Sequence, residues 1–274
     1  MIHSDFHIHS EFSYDAKNTL AQIIAGARAQ GLRRFGITDH LNFNDEAFLG
    51  DLKASSENVL ALKDSVPEML LGVELTTIPK PIFDHIAKTG TREGYIPPAS
   101  GQPYAMAVAA DKATLMRFGV RYAIGAAHWR TDSSDKYGET DVMIRDWHRQ
   151  QLWLSCHEAV TVLGHPWYNG RGAWYEDFSC IPASMHEELA AALRENGKYV
   201  ECNPCMLTDP RQTDTFRRQY AEFLRFLFES GVSITYGSDS HSDYGDCRPE
   251  VEEYLAAAGF REGDFSEIAE EKLW

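Results

Sequence analysis

The sequence predicts an α/β fold, a single closed or distorted barrel of seven strands, and three observations predict it. Short apolar runs alternate with amphipathic helical stretches along the 274 residues, which is the pattern of repeated βαβ units and a parallel sheet. No Gly-x-Gly-x-x-Gly turn follows the first strand, and this disfavours an open dinucleotide-binding sheet. Nearly every strand runs into a histidine, aspartate or glutamate; in α/β barrels chemistry sits where strands end.

The elements follow in order. Asp5-Phe6-His7-Ile8-His9 reads as a strand in which alternate residues share a face. Asp5, His7 and His9 then point one way, the two imidazoles roughly 7 Å apart, with Asp5 able to orient a ring nitrogen. Asn18 or Thr19 is placed to cap a helix carrying Leu20, Ile23, Ile24 and Ala27, which Gly31 ends. Arg34–Thr38 is a second strand entering Asp39-His40. Phe48, Leu49, Leu52, Val59 and Leu62 predict a helix over 45–64, and Met69–Val73 a third strand that ends on Glu74.

From Ile78 to Tyr104 regularity fails. Pro79, Pro81, Pro97, Pro98 and Pro103 with three glycines predict an irregular insertion over the pocket. A helix is expected near 106–117, then a strand Arg121–Ala127 ending on His128. Residues 141–158 read as helix, and Val160–Leu163 as a strand ending on Gly164-His165-Pro166. A loop with Asn169-Gly170-Arg171-Gly172 precedes a helix near 183–196. Tyr199–Cys202 is a sixth strand, closed by Asn203-Pro204. A helix over 214–230 leads to a seventh strand, Ser233–Tyr236, and to Gly237-Ser238-Asp239-Ser240-His241. A helix near 249–258 and an acidic tail finish the chain.

Composition bounds the rest. Hydrophobic residues at 43% and aromatics at 12% supply a sizeable core, and one domain over 1–274 fits the length. A net charge of −15 argues against nucleic acid or an anionic membrane as partner. Five cysteines, at 156, 180, 202, 205 and 247, form no disulfide framework. Cys202-Asn203-Pro204-Cys205 lacks a second such pair and reads as a structural turn. The N-terminus shows no basic segment followed by an apolar run, and no apolar run reaches membrane-spanning length. A soluble, cytoplasmic protein is expected.

Histidine supplies 11 of 274 residues, yet it stands at five strand ends: His9, His40, His128, His165 and His241. With His7, Glu74 and Asp239 these make a donor set of imidazole and carboxylate, suited to Zn²⁺, Mn²⁺ or Fe²⁺. Eight residues, or nine with Asp15, exceed what one ion can use. Two or three divalent ions in one pocket is the economical reading.

These motifs resemble the PHP (polymerase and histidinol phosphatase) family. His7-x-His9, Thr38-Asp39-His40, Gly72-Val73-Glu74, His128, Gly164-His165-Pro166 and Gly237-Ser238-Asp239-Ser240-His241 carry the likeness, over residues 1 to about 248. The resemblance implies a distorted, TIM-like (β/α)7 barrel with a three-metal centre at the strand C-termini. It implies one ion on His7, His9, Glu74 and Asp239, a second on Asp15, His40 and His241, and a third on Glu74, His128 and His165. Relatives have histidine or aspartate at the position of Asp15.

Metals held close together lower the pKa of a shared water and neutralise phosphoryl oxygens. No Gly-x-Ser-x-Gly elbow offers a nucleophile. A metal-bound hydroxide, held by the ligands with Asp239 and His241, is the expected nucleophile. Arg130 and Arg171 are placed to reach phosphate, and Glu201 and Asn203 to contact the organic part of a substrate. Trp129, Trp167 and Trp174 are candidate pocket walls. The expectation is a metal-dependent phosphoesterase acting on a small phosphomonoester, with histidinol phosphate the named candidate. A phosphodiesterase or nuclease acting on nucleotides or oligonucleotide ends is the alternative.

Overall fold

Seven parallel strands follow one another around a nearly closed barrel in the computed structural model, which describes residues 1–97, 104–131, 139–168 and 175–274. The first half contains β1 (Ser4–Ile8), α1 (Leu20–Ala29), β2 (Arg34–Ile37), β3 (His40–Leu41), α2 (Glu46–Ala61) and β4 (Met69–Thr76). The middle contains β5 (Ile78–Pro79), α3 (Lys80–Thr89), β6 (Met106–Ala107), α4 (Lys112–Arg117), β7 (Tyr122–Ala126), α5 (Thr140–Cys156) and β8 (Val162–Leu163). The rest contains α6 (Ala183–Glu195), β9 (Tyr199–Cys202), α7 (Cys205–Thr208), α8 (Asp214–Glu229), β10 (Ser233–Tyr236) and α9 (Arg248–Ala257).

The strands pair in the order β1-β2-β4-β7-β8-β9-β10, with β3 also on β4. Closure comes from the chain just past β10. Asp239 N donates to His7 O at 2.7 Å and His9 N to Ser240 O at 3.0 Å. Asn18 strengthens this seam by donating to Ser240 O at 3.3 Å, while Thr19 caps α1 in a reciprocal box with Gln22. The strand ends that carry ligands are thereby brought to one rim.

Two cores flank the sheet. The larger lies between strands and helices. The smaller fills the barrel with Phe6, Leu70, Tyr122, Ile124, Val162 and Tyr199, together with Ile268 from the C-terminal segment. Tyr122 spans the interior and donates to Phe6 O at 2.7 Å. Its ring occupies the space where Gly36 and Gly72 lack a side chain, and a Cβ at Gly72 would sit 2.6 Å from Tyr122 Cζ. The acidic tail turns back to the N-terminal mouth, where Trp274 N donates to Arg121 O at 2.8 Å.

Four local expectations are corrected. The segment after Ile78 is partly regular: β5 pairs with β6, and α3 fills Lys80–Thr89. Proline is compatible with the first helical turn, which has no internal N–H bonds to lose, and Gly90 at φ 78° ends the helix. The helix expected from 106 starts at Lys112, where Asp111 accepts from Thr114 N at 2.8 Å. The small helix α7 follows Pro204 directly. The β1–β2 register is irregular between Asp5 and Ile8, so strict alternation fails. Phe6 enters the barrel, and Asp5 does not orient an imidazole. It accepts instead from Ser238 N at 2.9 Å and Tyr244 Oη at 3.0 Å.

Candidate metal centre

Glu74 is the middle of the site. It leaves β4 at the C-terminal rim, 1% exposed, and five imidazoles converge on it. Oε1 is 3.0 Å from His165 Nε2 and 3.2 Å from His128 Nε2. Oε2 is 2.6 Å from His40 Nδ1, 3.6 Å from His9 Nε2 and 3.7 Å from His7 Nε2. Asp239 Oδ1 stands 3.2 Å from His9 Nε2 and 3.5 Å from His7 Nε2. Asp15 Oδ2 lies 3.4 Å from His40 Nε2 and 3.5 Å from His241 Nε2, at the more open side.

The imidazoles are fixed from outside. His7 Nδ1 meets Glu201 Oε1 at 2.6 Å, His9 Nδ1 meets Ser13 Oγ at 3.0 Å, and His128 Nδ1 meets Thr76 Oγ1 at 2.8 Å. His241 Nδ1 meets the carbonyl of Asp239 at 2.9 Å. Each ring thus turns Nε2 inward, as metal-bound histidines do. His165 at φ 25° and Asp239 at φ 53° hold sparsely populated backbone conformations, a form of local strain that clusters at working sites.

The donor atoms are arranged for cations. His7 Nε2 lies 3.0 Å from His9 Nε2, and His40 Nε2 3.3 Å from His241 Nε2. Ring nitrogens this close either share one N–H proton or, with both lone pairs free, converge on a cation. Glu74 Oε2, His40 Nδ1 and His165 Nδ1 are buried without a hydrogen-bond partner. Three groups have donor atoms within 4.8 Å of one another: His9, His40 and His241; His7, His9 and Asp239; and Glu74, His128 and His165. Buried, unpaired nitrogen and oxygen donors of this kind fit divalent metal.

Charge in the cluster is sharply divided. Burial opposes a charge on Glu74, but His128, His40 and His7 hold its carboxyl well below the usual range. Burial likewise opposes the charge on Asp239, and His7 and His9 outweigh it. His40, buried but beside Glu74 and Asp15, is pushed up to about 10. His9, buried among His40, His241 and His7, is pushed down to about 3. Neighbouring rings cannot all carry a proton, whereas cations would leave every ring neutral and ligating.

The other candidates divide. Glu201 and Asn203 are buried and face no open space. Glu201 Oε2 accepts from His165 N at 2.7 Å and from Asn203 Nδ2 at 3.2 Å, so both its oxygens are occupied within the protein. Arg130 is half-buried beyond His128, while Arg171 and Trp174 lie outside the described residues. Trp129 stacks on Phe43 at 5.6 Å near the rim. Trp167 is a core residue, 0% exposed. A cleft of about 640 Å³ opens beside Asp239, with Pro204, Cys205, Arg211, Ser238, Ser240 and Asp243 in its wall. Sequence reasoning passed over Arg211, because nothing in the sequence shows that α7 folds back toward β10.

A family model for the PHP domain matches residues 5–205. This chain belongs to the PHP domain family. The PHP barrel, with its convergent donors, is that of a metal-dependent hydrolase. No curated protein gives a match. Among solved structures, histidinol phosphate phosphatase from Lactococcus lactis subsp. lactis Il1403, complexed with zinc, L-histidinol and phosphate, is 18% identical, with a TM-score of 0.64 and 98% of each chain covered. A candidate histidinol phosphatase from Listeria monocytogenes is 14% identical with a TM-score of 0.61, covering 87% of this chain and 95% of its own. At such identities the likeness establishes the fold. Among the described residues, no helix of this PHP protein is long and apolar enough to cross a membrane.

Proposed function

We propose that this PHP protein hydrolyses a small phosphomonoester, with histidinol phosphate the leading candidate substrate, at a centre of two or three divalent ions, Zn²⁺, Mn²⁺ or Fe²⁺. The convergence of five imidazoles on Glu74 carries the reading. His7, His9, Glu74 and Asp239 would hold one ion, Asp15, His40 and His241 a second, and Glu74, His128 and His165 a third. Metal bound there supplies an activated water and a counter-charge for phosphoryl oxygens. The Lactococcus lactis relative was crystallised with zinc, histidinol and phosphate, which supports the substrate class.

The protein's own groups have definable tasks. Glu74 holds the donor cluster together, and Asp15 and His241 stand at its open side, with side chains 36% and 32% exposed. The cleft beside Asp239 gives the organic group room to leave the rim. Arg211 carries a cation into its wall, its guanidinium paired with Asp209. Arg130 and Arg171 remain candidates for the outer phosphate oxygens.

The test is a phosphate-release screen of chelated protein reloaded with Mn²⁺ or Zn²⁺. Turnover of amino-alcohol or sugar monophosphates, lost in Asp239→Ala, is expected. Silence across monophosphates with turnover of bis(p-nitrophenyl) phosphate would move the assignment to diesters.

A further inference from the structure

Of the seven barrel strands, β9 alone ends without a predicted metal ligand. Its terminal pair, Glu201 and Asn203, is nevertheless built into the centre. Glu201 Oε1 takes His7 Nδ1 at 2.6 Å, and Oε2 takes the main-chain N–H of His165 at 2.7 Å. Asn203 Nδ2 reaches Glu201 Oε2 at 3.2 Å and Asp239 Oδ2 at 3.1 Å. The amide is itself held, because Asn203 Oδ1 accepts from Cys205 N at 2.9 Å and Asn203 N donates to Tyr220 Oη at 3.1 Å.

We propose that Glu201 is a positioning residue for two parts of the metal centre at once, fixing His7 through its ring and His165 through its main chain, with Asn203 extending the hold to Asp239. A carboxylate on Nδ1 keeps the proton there and leaves the Nε2 lone pair facing Glu74 and Asp239. It also makes the imidazole a stronger donor than a neutral partner would. The outer partners of His9, His128 and His241 are a serine, a threonine and a carbonyl; His7 has the carboxylate.

The glycine before Ser238 gives a second, independent line. A Cβ on Gly237 would overlap Glu201 Oε1 and His7 Cβ together. Its φ is not in the left-handed region, so close approach is the constraint. Gly237 leaves open the space in which Glu201 meets His7, and filling that space would part them without changing any polar group.

The test is metal binding, which needs no substrate and stands whatever the protein hydrolyses. Chelated wild type, Glu201→Gln and Gly237→Ala are titrated with Zn²⁺, and bound metal is counted after equilibrium dialysis. In both variants at least two binding steps should weaken, by about 10–100-fold, the range for losing an outer partner of a ligand. Turnover lost in either variant should return with excess metal, at an unchanged KM. A wild-type isotherm with a raised KM would make Glu201 a substrate contact and overturn the proposal. A wild-type isotherm with a lowered Tm would reduce it to a fold residue. Weakening of a single step would remove the two-part claim. Should Glu201→Gln fail to fold, Glu201→Asp, which keeps the charge one methylene shorter, must show the same weakening in milder form, and a wild-type isotherm there counts against the proposal.

Discussion

His40 and Glu74 pair in register across parallel strands β3 and β4, and their side chains meet again at the rim, with Nδ1 2.6 Å from Oε2. Both atoms are nonetheless buried without hydrogen-bond geometry. The backbone ladder therefore fixes how far apart a bridging carboxylate and an imidazole of a different subsite can lie. Glu74→Gln keeps the shape and removes the charge. It should cut turnover by at least about a hundredfold, more than the 10–100-fold of an outer-partner loss, and lower bound metal by more than one ion per chain. Elemental analysis of dialysed protein checks this; full metal content in the variant would contradict the bridging role.

Asp15 should behave differently. Its oxygen lies 3.4 and 3.5 Å from His40 and His241, and its side chain is 36% exposed, so water can replace it. Asp15→Asn is expected to lose at most one ion and to cost about tenfold in turnover. Equal metal loss in Asp15→Asn and Glu74→Gln would show that the ions bind as one unit.

Most of this site was legible because barrel topology converts sequence order into convergence. His128 and His165 lie far apart along the chain but end adjacent strands β7 and β8. The roles of Asp5 and Glu201 were not legible. A strand pattern gives a face, but the irregular step between Asp5 and Ile8 puts Phe6 in the barrel core and Ile8 in the outer one. Helix α3 was hidden for a related reason: Pro79 and Pro81 signal a break, yet at the N-cap and in the first turn they cost no helical hydrogen bond. Only tertiary context separates the two readings.

Tyr122 offers a stability test inside the barrel. A Cβ at Gly36 would overlap its hydroxyl, so Gly36→Ala should destabilise by about 1–3 kcal/mol through overpacking. Tyr122→Phe leaves Phe6 O without its donor and should cost about 1–3 kcal/mol. The two changes share one space, and the double variant should be less destabilised than the sum. Urea midpoints measure all three, and strict additivity would disprove the shared-space account.

His186 predicts an acid-side pH dependence away from the metals. Its ring lies 4.8 Å from Phe223 and 5.8 Å from Trp167. Burial, with His148 nearby, pushes it down to about 4 from an ordinary 6.5. The folded state then binds fewer protons than the unfolded one between those values. Its contribution to stability is present above pH 6.5 and is lost as pH falls toward 4. The loss is at most about 3 kcal/mol at 1.36 kcal/mol per unit, and less because part of the ring reaches solvent. The difference in urea midpoint between wild type and His186→Phe should change between pH 7 and 4.5. A constant difference would mean that His186 does not titrate in this range.

Metal removal should be felt by the whole barrel, because the ligands sit on strands that close it. His7 and Asp239 join β1 to the chain beyond β10, the seam where the sheet is held by few main-chain bonds. Ions gripping both sides stabilise the folded state by mass action, about 2.7 kcal/mol per site at a hundred times Kd. In a chain of this size that raises Tm by roughly 5–10 °C per site. Differential scanning fluorimetry of chelated and Zn²⁺-reloaded protein should show the gap, and Glu74→Gln should narrow it. Asp15, the more exposed ligand, should leave most of it in place when changed to Asn. If chelation lowers activity but leaves Tm unmoved, the seam closes without the ions, and the centre serves chemistry alone.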